Sequence, residues 1–395
     1  MTTLFSEAYR RDPYPPLASL RDRGPVFRDP ASGTWMLLRY DDVKRALANH
    51  DAFSSTVSPP GTLTSDWLIF ADPPRHARLR ALIMRAFTPR AVAALEHRIR
   101  ARVSMLLDDA ERGEEVDFVR DIAVPLPLAV IAEMLGAPTD DLTRFRSWTD
   151  AIVALSHTVT GGPNVQRAVD GARRADTQMR EYLPSLIEER RMQARDDLLS
   201  RLVHADLDGE RMSENEILGF FQLLLLAGHE TTTNLLGNAV LGFDEHPDQL
   251  ALLRAAPGLL EPAVEEVLRF RSPVQTVFRY TRRDVRVGDE TIPAGAMVLL
   301  MLGAANRDPA RFDRPDRFDI ARDPNPHVGF GHGIHYCIGA PLARLEARVA
   351  LEELYRRVER VERVDHSPWE PREAFHVHGP SRLPVRLVPR QFSKR

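Results

Sequence analysis

Apolar residues recur at three- and four-residue spacing through most of the first 270 positions, the period of one buried helix face. The pattern is clearest over residues 43–47, 79–87, 92–107 and 126–135, separated by Pro-bearing breaks. Ser213 and Glu216 have the spacing of a capping box, which predicts a helix running to about Phe243. At about 30 residues and 1.5 Å per residue, that helix would traverse the molecule. Residues 26–38 predict a small hairpin, with Pro30 and Gly33 marking its turn. A helix over 259–270 is followed by short strand-like pieces at 276–281, 285–287 and 297–301, and a further pair at 375–378 and 383–388. Residues 156–165, S-H-T-V-T-G-G-P-N-V, predict a loop able to act as a lid. No repeat, low-complexity tract or interdomain linker interrupts the chain. The pattern predicts one domain over residues 1–395, mainly α with a minor β region.

Composition narrows the function classes. The 395 residues are 43% hydrophobic and 28% charged, the balance of a soluble globular protein. A net charge of −3 lacks the basic excess of a nucleic-acid binder. The longest apolar run, residues 294–305, falls short of the roughly 20 residues that cross a bilayer. Neither a membrane anchor nor a secretory signal is expected, which points to a cytoplasmic protein. The single cysteine, Cys337, excludes an intramolecular disulfide and any cysteine-cluster metal site.

That cysteine lies in F-G-H-G-I-H-Y-C-I-G, residues 330–339, just before a helical pattern reaching about Val358. A helix mouth offers unpaired N–H groups that lower a thiol pKa. Gly331, Gly333 and Gly339 would let the backbone approach a flat ligand closely. An arbitrary buried cysteine is usually just a small hydrophobe, but this one resembles the haem-thiolate loop of the cytochrome P450 family. The resemblance extends in the same order along nearly the whole chain, through D-P-P-R-H-A-R-L-R at 72–80, A-G-H-E-T-T at 227–232, E-V-L-R at 266–269 and A-N-R-D-P at 305–309.

The resemblance implies a soluble bacterial haem-thiolate monooxygenase with haem b between the long helix and the helix after the Cys loop. Cys337 would be the iron ligand, in a loop that also carries Phe330, His335 and Gly339. His76, Arg80, Arg279 and His335 match the propionate contacts, while Arg78 and Arg282 read as solvated surface charge. Glu266 and Arg269, three apart on one helix face, match a trio completed by Arg317 that holds the haem loop. Burying Glu230 is costly without partners. By resemblance Glu230 and Thr231 are an acid–alcohol pair relaying protons, although a threonine in this run can instead bond back to the preceding turn. His229-Glu230 also begins the zinc-protease motif H-E-x-x-H, but Thr233 stands at the second His position.

Implied substrate contacts are the 59–69 segment, with Leu68 and Ile69, then Leu224, Ala227, Thr231, Val274, Val277, Phe278 and Phe375. They suit an apolar small molecule such as a fatty acid, terpenoid, steroid or macrolide. With no flavin domain or iron–sulfur cysteines, electrons would come from a ferredoxin docking on Arg75, Arg78, Arg344 and Arg348. The chain is expected to be a monomer. A peroxide-driven enzyme of the same fold, or a non-enzymatic haem sensor, is the alternative.

Overall fold

The helix Glu214–Glu245 organises the molecule. Its capping box is present: Glu216 N–H donates to Ser213 Oγ at 3.2 Å and Ser213 N–H to Glu216 Oε2 at 3.0 Å. Leucine, phenylalanine and alanine surround the axis, so the helix is stable only inside a core. Pro125–Leu135, Leu142–Ser156, Leu260–Phe270 and Ala340–Arg357 supply that core by packing on it. The computed structural model describes residues 6–30, 32–56, 62–113, 115–137, 141–156, 164–364 and 369–390. Most of the expected lid, and residues 59–61 of the expected substrate segment, lie outside the described residues.

The other periodic segments form Tyr40–Ala48, Arg75–Ala86 and Pro125–Leu135 as expected. The expected continuous helix over 92–107 is instead two, Pro89–Ala93 and Glu96–Ala110. At Ala94 and Leu95 ψ flattens to −15°, which interrupts the helical ladder.

The predicted hairpin is Val26–Arg28 against Trp35–Leu37. It extends into a five-stranded sheet in the order Val26–Arg28, Trp35–Leu37, Met297–Leu300, Val277–Thr281, Phe53–Ser54. The C-terminal expectation needs correction. Residues 375–378 form no strand, only a bridge from Val377 to Val274. Pro384–Pro389 pairs instead with Val358–Arg363, where valines at 358 and 361 turn inward once the helix has ended.

A second hairpin, Glu370–Pro371 with Pro380–Arg382, presses onto the long helix. A Cβ on Gly379 would lie 2.6 Å from Asn234 Oδ1, and one on Gly237 2.6 Å from Pro380 Cγ. Asn238 Nδ2 donates to the carbonyls of Arg271 and His378, each at 2.9 Å. Among the described residues no helix is long and apolar enough to cross a membrane.

Candidate active site

The Cys loop runs directly into Ala340–Arg357. Cys337 N–H donates to Phe330 O at 3.0 Å, closing the loop on itself. Gly331 and Gly333 adopt φ +74° and +73°, conformations that disfavour a side chain. At Gly333 a Cβ would also come within 2.8 Å of Leu47 O. Gly339, by contrast, has an ordinary φ of −77°.

The thiol differs from expectation as well. Burial pushes Cys337 upward, and this outweighs the lowering by the Gly339 and Ala340 amides and by Arg80 and Arg344. Those groups would still favour a thiolate once a cation bound the sulfur. Arg344 braces the loop: its guanidinium sits 4.5 Å from the Phe330 ring centroid, and it grips Glu265 at 2.7 and 2.8 Å.

Beside the loop, His76 and His335 bring their rings within 4.2 Å. Neither Nε2 has a hydrogen-bond partner although both are buried. Burial, with Arg80 next, lowers His76 to about 4. Burial, with Arg279 next, lowers His335 to about 3. The Arg279 guanidinium is buried and pushed down to about 10, while Arg80 Nη2 reaches Tyr336 O at 2.8 Å. All four expected propionate contacts therefore gather in one place. Two buried ring nitrogens without partners, with two guanidiniums beside them, are the complement of a ligand bearing carboxylates, so these residues fit haem.

Asp72, at the head of the 72–80 motif, was not singled out from sequence. Its buried carboxylate accepts from the Ser54 hydroxyl, Ser55 N–H at 3.0 Å, Thr56 Oγ1 at 3.1 Å and Arg282 Nη2 at 2.6 Å. These bonds together hold it below the usual carboxylate range against the effect of burial. Arg282 is exposed, as expected of a surface charge, and also an ion-pair partner of Asp72. Asp72 fixes the segment that leads into His76.

Glu266 and Arg269 are completely buried and joined by two 2.8 Å bonds. Arg269 also donates to the carbonyls of Asn306, Pro315 and Arg317 at 2.9, 2.7 and 3.0 Å. The expected third member therefore contributes its backbone oxygen. The guanidinium that approaches Glu266 belongs to Arg322, at 3.3 Å. Spacing could not distinguish two arginines on the same irregular segment.

On the long helix, Leu224, Leu226, Ala227, Gly228 and Thr231 are the less buried positions of an otherwise enclosed stretch. Thr231 Oγ1 donates to Ala227 O at 2.6 Å, the back-bonded geometry considered from sequence. Glu230 is 4% exposed. His229 is buried with neither nitrogen hydrogen-bonded and is lowered to about 4, first by burial and then by Arg372. Among the described residues no cluster of three His, Cys, Asp or Glu could hold a metal ion.

The substrate candidates fall on several elements. Leu68 is buried and Ile69 is 40% exposed, while Trp67 Nε1 ties their segment to Gln222 on the long helix at 3.1 Å. Phe278 and Phe375 meet edge to face at 6.1 Å, and Val274 and Val277 are half-buried.

The expected basic patch is compensated throughout. Arg75 pairs with Asp66 at 2.6 Å, Arg78 with Glu216, Arg344 with Glu265 at 2.7 Å and Arg348 with Glu96 at 2.7 Å.

A family model for cytochrome P450 matches residues 24–256 and 254–375. The cyclomarin C epoxidase CymV of Salinispora arenicola is 43% identical over 379 residues, 93% of this chain and 94% of that one. The vitamin D(3) 25-hydroxylase of Pseudonocardia autotrophica is 41% identical over 400 residues, 98% and 96% of the two chains. The solved structure of cytochrome P450 CYP109Q5 from Chondromyces apiculatus matches with a TM-score of 0.90 and 41% identity, over 98% of each chain.

Removing one member of a buried ion pair costs about 3–5 kcal/mol. Glu266→Ala or Arg269→Ala is therefore expected to yield little haem-loaded protein, read as Soret absorbance per mole of chain. Normal haem content would show that the pair does not hold the loop.

Proposed function

The chain belongs to the cytochrome P450 family, its cofactor is haem b, and from that premise we propose that it inserts one atom of dioxygen into a bulky hydrophobic small molecule by hydroxylation or epoxidation. The observation that carries this reading is the assembly of Cys337 with His76, Arg80, Arg279 and His335, in which the buried Nε2 atoms of both histidines lack partners and two guanidiniums lie beside them.

Bound haem supplies the oxygen-activating redox chemistry. Cys337 would hold the iron through its thiolate, and His76, Arg80, Arg279 and His335 would hold the propionates. Glu230 passes protons inward, and the Thr231 hydroxyl delivers them after leaving Ala227 O. Leu68, Ile69, Leu224, Ala227, Val274, Val277, Phe278 and Phe375 exclude water and place one C–H or C=C bond. This acid–alcohol pair favours dioxygen over the peroxide-driven alternative. Turnover with dioxygen and an electron source separates an oxygenase from a haem sensor. Relatives named for action on cyclomarin C and vitamin D(3) support a large apolar substrate, best found by a spectral-shift screen of terpenoids, steroids, macrolides and fatty acids.

Electrons come from a ferredoxin and its reductase. Because the arginines around the Cys loop are paired with carboxylates, attraction to an acidic ferredoxin is short in range and further limited by a screening length of about 8 Å at physiological salt. Reduction is expected to slow with added salt and with Arg75→Glu or Arg348→Glu, at unchanged substrate affinity. Arg344 is unsuitable for this experiment because it braces Phe330. Salt-independent reduction that ignores both reversals would place docking elsewhere.

Cys337→Ala is expected to lose the red-shifted Soret band of the reduced carbon monoxide complex, since no second cysteine exists. A normal thiolate spectrum in that variant would sink the assignment. Thr231→Val is expected to retain haem but release electrons as hydrogen peroxide. Unchanged product per nicotinamide oxidised would remove Thr231 from the relay.

A further inference from the structure

Gln222, on the helix Glu214–Glu245, is 1% exposed, yet both ends of its amide are bonded. Its Oε1 accepts from Trp67 Nε1 at 3.1 Å, and its Nε2 donates to Asp176 Oδ1 at 2.7 Å. An indole N–H can only donate and a carboxylate only accept, so the amide serves both partners in one orientation alone. Trp67 opens the short turn that carries Leu68 and Ile69, and Asp176 belongs to the helix Val165–Met192. One side chain therefore joins three elements that are distant in sequence. Both ends of this chain of bonds are secured. On the inner side Asp66 seats directly on the long helix: a Cβ at Gly219 would lie 2.6 Å from Asp66 O, and Arg75 pairs with the Asp66 carboxylate at 2.6 Å. The buried Trp67 ring stacks on Phe70 with centroids 6.0 Å apart. On the outer side Arg180 Nε donates to Asp176 Oδ2 at 2.9 Å, and its Nη1 to Asn215 Oδ1 at 2.9 Å.

We propose that Gln222 is a positioning residue for the substrate: it ties the segment carrying Leu68 and Ile69 to the helix Val165–Met192, so that the place of that helix sets where this wall of the site stands. Losing the Asp176 bond frees the buried amide to rotate, and the indole N–H then lacks a fixed acceptor. A movement of Asp176 with its helix thus reaches Leu68 and Ile69 without any contact between them. Glutamine suits this task because its neutral amide answers a donor and an acceptor at once, whereas a glutamate would set a second carboxylate against Asp176.

This inference rests on the proposed place of Leu68 and Ile69 in the substrate space, and the experiment separates the two. In the holoenzyme, hydrogen–deuterium exchange is followed over residues 62–71, where the Trp67, Phe70 and Ala71 amides donate to the Thr64, Trp67 and Leu68 carbonyls at 3.1, 3.0 and 3.1 Å. Gln222→Leu and Trp67→Phe are each expected to speed this exchange about fivefold, the effect of one lost hydrogen bond on local opening. Asp176→Leu is expected to do the same from a distance, while Asp176→Asn, which keeps an acceptor, stays near wild type. Asp176→Leu added to Gln222→Leu is expected to have no further effect. Haem content should match wild type in every variant, because the bonds removed reach none of the cofactor residues. Soret titrations with imidazole and with the bulky azole clotrimazole then read the site. Gln222→Leu is expected to weaken clotrimazole about fivefold, because its apolar wall is no longer pre-organised, and to leave imidazole unchanged. Unmoved exchange in Asp176→Leu overturns the coupling. A further effect of Asp176→Leu in the Gln222→Leu background overturns the route through Gln222. Faster exchange with an unchanged ratio of the two azole affinities supports Gln222 as the tie and removes Leu68 and Ile69 from the substrate space instead.

Discussion

A charge inside a protein must be answered by another, and the molecule depends on one such answer, the buried Glu266–Arg269 pair. Both side chains are fully enclosed, so each would carry a large desolvation penalty alone. The penalty is offset because the polar atoms are shared outward. Glu266 also accepts from Asp319 N–H at 2.8 Å and Asn325 Nδ2 at 3.1 Å, while Arg269 collects three backbone carbonyls. These partners lie between residues 306 and 325, a stretch almost without regular structure. Asn306 then passes the constraint on, accepting from Val328 N–H at 2.8 Å, two residues before the Cys loop begins. An irregular chain is held in one path by a buried ion pair, approached also by Arg322, that exchanges bonds with its backbone.

The cofactor site follows the opposite rule. His76 and His335 remain neutral with unpaired nitrogens, and Arg279 is buried beside them. Such groups lower the stability of the ligand-free chain, since each buried donor without an acceptor costs about 1–3 kcal/mol. Carboxylates arriving with the cofactor would satisfy these donors together. The site is tense where a ligand is to come and relaxed where only the chain is to be held. Asp72 stands at the border, fully bonded to Ser54, Ser55, Thr56 and Arg282 yet close enough to oppose the lowering of Arg279.

The features legible in the sequence were those with a local cause. A capping box, helical periodicity and glycines at positive φ each act within a few residues, and Ser213, Glu216, Gly331 and Gly333 behave accordingly. Motif order further located His76, Arg80, Arg279 and His335 before any contact was known. Long-range pairing decided what could not be read. Arg322 rather than Arg317 reaches Glu266 because of the path of residues 306–325, which no periodicity encodes. The strand Val358–Arg363 forms because Pro384–Pro389 is beside it, although the preceding helical pattern had no obvious stop. Arg78, Arg344 and Arg348 looked free only because Glu216, Glu265 and Glu96 are distant in sequence.

The long helix brings these two rules within one residue of each other. Glu230 is buried in the interior, whereas Thr231 is less buried and answers to its own backbone. The Thr231 hydroxyl already donates to Ala227 O at 2.6 Å, so it can donate to a guest only by giving up that bond. Back-bonding of this kind bends and loosens a helix, and here it falls beside Gly228, where no side chain resists the change. The alcohol half of the pair is therefore set by whatever occupies the site, and the acid half by the fold behind it. The proposed proton relay would need that division, because its supply must stay connected to the protein while its delivery waits for a bound guest.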